Sequence, residues 1–215
     1  MPTQTSSLRL LLKSFIAVVR DPSRTDLLFN VISDPRLANK ESYEIVLNKL
    51  ASTPECLQLI QERYQKNWNL DELLQLPPES LGYIYAKHMK DNNLNIEYYQ
   101  TVPGDTDHVY IQMRSRRTHD IWHTITGFDT SFAGEVGLQA FSFSQYHTRL
   151  SIVIICMFLL HVCFYDPKSL PEIVNATVKG FQMGRDCKTL FAEKFEEKWS
   201  KNLIDYRREL KIQPC

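Results

Sequence analysis

Thr118–Phe141 reads THDIWHTITGFDTSFAGEVGLQAF, and this stretch decides the architecture. As a helix it sets His119 and His123 one turn apart, with Asp120 about 100° round from His119, so the three share about a quarter of the circumference. Thr126–Gly127–Phe128–Asp129–Thr130 then breaks the pattern. Gly127 suits a C-terminal cap, and Thr130 or Ser131 suits the N-cap of a second helix. Glu135 falls in the opening turns of that helix, and antiparallel packing brings its carboxylate towards the histidine pair. Two imidazoles and two carboxylates make a mixed nitrogen and oxygen donor set, suited to zinc, iron or manganese and less to calcium. The plainer reading stands beside it: histidines four apart occur by chance on polar helix faces, and a glutamate near a helix N-terminus is favoured by the helix dipole.

The same helical grammar extends in both directions. Upstream, Leu8–Arg20 carries an apolar stripe of Leu8, Leu11, Leu12, Phe15 and Val19 and ends at Asp21–Pro22. Thr25 or Asp26 can cap a short helix, Lys40–Leu50 repeats apolar residues at i, i+3, i+4 and i+7, and Thr53–Pro54–Glu55 is a helix-opening signal. Pro77–Pro78 opens another helix, on which His88 reads as a hydrogen-bonded, half-buried histidine and not as a ligand. After an irregular connection from Tyr98, Asp105 or Asp107 is the expected cap of the site helix, which runs from about His108 through His123. Arg114, Arg116 and Arg117 on it form either a solvated face or a positive patch for a carboxylate or phosphate.

Downstream, Leu150–Tyr165 (LSIVIICMFLLHVCFY) is apolar on every side but short of the roughly 20 residues of a spanning helix, and His161 interrupts it. Three roles stay open: buried core or homodimer face, wall of a lipid pocket, or membrane insertion. Glu172–Phe191 and Phe195–Lys211 read as closing helices, with Gly180 and Gly184 spaced to admit a close neighbour. The expected fold is therefore all-α: one helical bundle over residues 1–215, with a central apolar helix and a metal site on a helix pair.

Composition narrows the function classes. Lys+Arg and Asp+Glu balance at 25 each, which disfavours nucleic acid as a partner. The 5 cysteines are odd in number and irregularly spaced, as reduced thiols would be. Residues 1–20 hold Arg9, Lys13, Arg20, several serines and no acid, the composition of a mitochondrial presequence, yet their apolar stripe runs straight into the domain. The expected location is the bacterial cytoplasm or the inner face of its membrane, or the matrix side of the mitochondrial inner membrane in a eukaryote.

HDIWH resembles the HExxH of zinc proteases, but the shorter Asp120 argues against a peptidase. A closer likeness is to the HDxxH-x11-E signature of the coenzyme Q biosynthesis protein four family. Leu76–Gly82 (LPPESLG) is similar to the family's LPPxSLG, Gly180–Arg185 (GFQMGR) to its GxxMGR, and Leu190–Ala192, Trp199 and Arg208–Leu210 fit its C-terminal block. Thr189 departs from the pattern, standing where the family carries Pro.

The resemblance implies a ubiquinone biosynthesis protein that removes the C1 carboxylate of a polyprenylated hydroxybenzoate, with hydroxylation in an oxidative version. On this reading His119, Asp120, His123 and Glu135 are both metal ligands and catalytic residues. Zinc leads as the cofactor, with iron, manganese or magnesium as alternatives. Arg116, Arg117, Ile154, Phe158, His161 and Arg185 are the candidate contacts to substrate or isoprenoid lipid. The expected partners are other quinone-biosynthesis proteins, a second copy of the chain and a membrane surface. The alternatives are a non-catalytic lipid-binding scaffold that organises a biosynthetic complex, or a prenyl-lipid carrier.

Overall fold

The computed structural model describes residues 4–95 and 104–215. The chain order is α1 (Gln4–Arg20), α2 (Thr25–Ile32), α3 (Lys40–Ala51), α4 (Pro54–Glu62), α5 (Leu70–Leu73), α6 (Leu81–Asp91), α7 (Asp107–Thr126), α8 (Phe132–Tyr146), α9 (Arg149–Phe164), α10 (Leu170–Asp186) and α11 (Leu203–Leu210). Among the described residues there is no strand, only a single bridge between Ser80 and Asn202. The all-α expectation holds. Most of the expected irregular connection from Tyr98 lies outside the described residues.

Among the described residues the bundle has two apolar clusters. The larger gathers Leu59, Tyr85, Met89, Ile121, Trp122, Phe141, Phe191 and Tyr206 from α4, α6, α7, α8, the segment after α10, and α11. The second gathers Val18, Val31, Val136, Ala140, Ile155 and Ile173 from α1, α2, α8, α9 and α10. α8 feeds both, with Leu138 and Phe141 on one side and Val136 and Ala140 on the other. Its contact with α10 is close: a Cβ at Gly180 would lie 2.1 Å from the Gly137 carbonyl oxygen, so glycine alone permits the approach. Gln145 Nε2 donates to the Gly184 carbonyl at 2.7 Å in the same seam. The close neighbour that Gly180 and Gly184 admit is thus a helix.

α9 presents two faces. Ser151, Ile154, Ile155 and Phe158 point inward, while Leu160 and Cys163 face out and Phe164 is 73% exposed. No single described helix is long and apolar enough to cross a membrane. All five cysteines are free thiols.

Local departures from the sequence reading have identifiable causes. α5 is too short to show a period; Asn69 Oδ1 caps it, accepting from Asp71 N at 2.8 Å. Of the expected helices over Glu172–Phe191 and Phe195–Lys211, the first stops early and the second starts late, at Leu203. The first ends at Asp186, where Cys187 turns extended. In the second, the Trp199 and Lys201 carbonyls accept from Gly82 and Leu81 N–H, and Asn202 starts α11 afresh by capping Ile204 N at 2.9 Å. Trp199 also stacks on Tyr85, centroids 5.4 Å apart. The LPPESLG segment and the C-terminal block are therefore one brace.

Candidate metal centre and its cavity

The N-cap position of α7 is Thr106, not Asp105 or Asp107, whose carboxylates instead pair with Arg63 at 3.2 and 2.7 Å. It ends as expected at Gly127, whose φ of 81° lets its N–H reach back to the His123 carbonyl at 2.9 Å. Arg207 of α11 donates to the Ile125 and Thr124 carbonyls at 2.9 and 2.8 Å, satisfying acceptors that the helix end leaves open. Cys215 N does the same for Thr126, at 3.1 Å. Ser131 then caps α8, accepting from Gly134 N at 3.1 Å, so Glu135 stands in the first turn. Helix, capped turn and second helix follow the sequence expectation.

The four signature residues converge. His119 Nε2 and His123 Nε2 are 3.2 Å apart. Glu135 Oε1 lies 3.2 Å from His123 Nε2, and Oε2 lies 3.7 Å from His119 Nε2. One ligand atom each from His119, Asp120 and His123 fall within 4.8 Å of one another. Donors held ~2.1 Å from a common ion in a tetrahedron stand about 3.4 Å apart, so the spacings among His119, His123 and Glu135 suit one divalent cation, while the Asp120 carboxylate stands wider, within 4.8 Å of the two histidines. The tautomer agrees: His123 Nδ1 sits 2.9 Å from the Phe128 carbonyl, to which only an N–H can donate, leaving the Nε2 lone pair towards the centre.

Electrostatics point the same way. Burial would raise the Glu135 carboxyl, but hydrogen bonds with His119 and His123 outweigh it and hold it far below the usual carboxylate range. Burial opposes charge on His119 too, and the Glu135 carboxylate overrides that and raises its pKa. The centre favours positive charge between the ring nitrogens and the acid, whether a proton or a cation.

His119 and Glu135 also line a cavity of about 550 Å³ between α2, α3, α7, α8 and α9. Leu28, Ile32, Ile154 and Phe158 give it apolar walls. Two polar stripes reach it along the ligand helices: Gln112 and Ser115 below His119 on α7, and Gln139, Ser142 and Tyr146 beyond Glu135 on α8. Their spacing at multiples of a helical turn from the two ligands is the signal from which they were readable, and the sequence reading passed over it.

Of the candidate substrate contacts, Arg116, Ile154 and Phe158 line this cavity. Arg117, His161 and Arg185 do not. Arg117 lies over the Trp68 ring and donates to the Lys66 carbonyl and Asn67. His161 Nδ1 is 2.9 Å from the Val19 carbonyl, tying α9 to α1. Arg185 is exposed on α10, because its motif serves the glycine seam with α8. Nor do the three arginines of α7 form one face: Arg114 is buried in an ion pair with Glu196 and also donates to the Glu193 carbonyl at 2.7 Å.

A family model described as coenzyme Q (ubiquinone) biosynthesis protein Coq4 matches residues 2–215. The chain belongs to this family. It is 26% identical over 212 residues to a mitochondrial ubiquinone biosynthesis protein COQ4 homolog of Anopheles gambiae, covering 93% of this chain and 71% of that protein. A mitochondrial relative from Saccharomyces cerevisiae (strain AWRI1631) is 29% identical over 146 residues, 67% of this chain and 43% of the relative. A crystal structure of a candidate ubiquinone biosynthesis protein from Nostoc punctiforme PCC 73102 superposes with a TM-score of 0.83 at 27% identity, covering 98% of both chains.

Proposed function

We propose that this family member removes the C1 carboxylate of a polyprenylated hydroxybenzoate, using a divalent cation, zinc first, held by His119, Asp120, His123 and Glu135. The observation that carries the reading is that His119 and Glu135 belong both to the donor cluster and to the lining of the 550 Å³ cavity. A metal-type donor set thus opens onto a space of the size small-molecule sites have.

When bound, the cation supplies positive charge beside the ring carbon that carries negative charge as carbon dioxide departs. The chain's residues do the rest. Phe128 fixes the His123 ring through its carbonyl. Leu28, Ile32, Ile154 and Phe158 give the isoprenoid tail an apolar bed and keep water from the ring. Gln112, Ser115, Arg116 and Gln139 offer polar groups on the way to the head group. The bond broken joins C1 to its carboxyl carbon, and the electron pair left on C1 as carbon dioxide departs takes up a proton. The oxidative version instead needs iron or manganese in place of zinc, dioxygen and an external two-electron reductant, with the second oxygen atom leaving as water. The matching location is where prenylated intermediates reside, the matrix face of the inner membrane in a eukaryote.

The test is single-turnover incubation of metal-loaded protein with a prenylated hydroxybenzoate carrying ¹³C in its carboxyl group. Labelled carbon dioxide is the expected result. Metal-loaded protein that binds the lipid yet releases none, with and without dioxygen, is a carrier or a scaffold and defeats the proposal.

A further inference from the structure

His88 of α6 stacks on His123, with ring centroids 6.0 Å apart and planes 26° from parallel. Its tautomer follows from its neighbour. The Asn92 side-chain nitrogen donates to the His88 carbonyl at 2.9 Å, and the Asn92 side-chain oxygen accepts from Thr130 Oγ1 at 3.1 Å. Held in that sense, the amide turns an N–H, 3.4 Å away, towards His88 Nδ1. Nδ1 is therefore the acceptor, and the proton of the neutral ring sits on Nε2. A protonated Nε2 has no lone pair for a cation. It is a donor, shut off from solvent and without a partner in the protein. Such groups are uncommon because burying an unpaired N–H costs free energy.

An acceptor in the converse position belongs to the same cluster, although it stands beyond hydrogen-bonding reach of His88 Nε2. Among the described residues none donates a hydrogen bond to the Asp120 carboxylate; only its backbone carbonyl is engaged, by Thr124. That carboxylate lies within 4.8 Å of the His123 ring nitrogen, the ring that His88 covers. Asp120 is also first among the carboxylates whose charge acts on His88.

We infer that His88 is a positioning residue of the centre: when the cation seats, its Nε2–H, which no protein acceptor reaches in this structure, takes the Asp120 carboxylate by a hydrogen bond and aims the other carboxylate oxygen at the cation. This rests on the metal centre of the proposed function but not on its chemistry. Ligating carboxylates commonly carry such an outer hydrogen bond, and losing it weakens metal binding about 10- to 100-fold.

The experiment titrates full-length protein with Zn²⁺ against a chromophoric chelator and records the absorption of the Co²⁺-loaded form. His88→Phe keeps the ring stacked on His123 and removes the donor; its Zn²⁺ affinity falls at least about tenfold and its Co²⁺ bands shift. His88→Gln restores a donor and returns affinity to within about threefold of the parent. In an Asp120→Asn background His88→Phe changes affinity by less than about threefold, because the acceptor charge is gone. Unchanged affinity in His88→Phe, an equal loss in the Asp120→Asn background, or no rescue by His88→Gln each overturns the inference. A parent protein that binds no Zn²⁺ overturns the centre and this inference together, whereas bound metal without carbon dioxide release defeats only the proposed chemistry.

Discussion

His123 Nδ1 donates to the carbonyl oxygen of Phe128 across 2.9 Å, so the ring of one helix is fixed by the turn leading into the next. The turn that delivers Glu135 also sets which histidine nitrogen meets it. Register between the two helices and orientation of the ligand are one event. His123→Ala removes the ring that bridges them: bound zinc per chain falls from about one equivalent to below about a tenth by elemental analysis. Stoichiometric zinc in that variant removes His123 from the centre.

Protons compete with a cation for the space between His119, His123 and Glu135. His119 has a raised pKa in the folded chain, so the fold binds a proton there that the unfolded chain has lost. The resulting stability is complete below about pH 6.5 and is lost as pH climbs through the raised value. Glu135 is depressed, so its share persists until the pH drops far below the ordinary carboxylate range. In metal-free protein the His119–Glu135 pair therefore adds more stability at pH 6 than at pH 8.5, against the opposite contributions of His88 and His147, whose pKa values burial lowers. Glu135→Gln accordingly lowers Tm more at pH 6 than at pH 8.5 in a thermal scan in chelator.

Ile154 faces the cavity from α9. Ile154→Trp fills space that an isoprenoid chain would occupy without touching the signature residues. Affinity for a long-tailed hydroxybenzoate drops about tenfold or more in a fluorescence titration, while zinc stoichiometry stays at one. Equal affinity for tailed and tail-less acids in both proteins places the lipid elsewhere.

Gly180 tests the seam behind α8. A methyl there meets the Gly137 carbonyl oxygen at 2.1 Å. Gly180→Ala costs about 3 kcal/mol, a fall in Tm of roughly 9 °C for a chain of this length, measurable by calorimetry. A change within about 1 °C shows that α8 and α10 separate easily.

The helix pair, its caps at Gly127 and Ser131, and the meeting of Glu135 with both histidines were legible because each rests on local rules of period and capping. The fate of the arginines was not. Arg114 finds Glu196, and Arg63 takes Asp105 and Asp107, across long stretches of chain that no spacing rule spans. Phe128 acts through its backbone, which no residue type announces. Arg117, His161 and Arg185 looked like site residues because charge and motif position are visible in a sequence, whereas the direction in which a side chain leaves its helix depends on packing. The C-terminal helix is shorter than its periodicity predicts because the start of α6 claims the carbonyls of Trp199 and Lys201.

The division of the apolar interior into two clusters has an outcome for diversification. The half of α7 that carries His119 and His123 is rooted in one, through Ile121, Trp122 and Ile125, and the wall helices α2 and α9 are rooted in the other. Substitutions at Leu28 or Ile154 can therefore reshape the cavity while His119 and His123 keep their seats. Under the proposed function, room for the tail and the chemistry of the head group would vary independently.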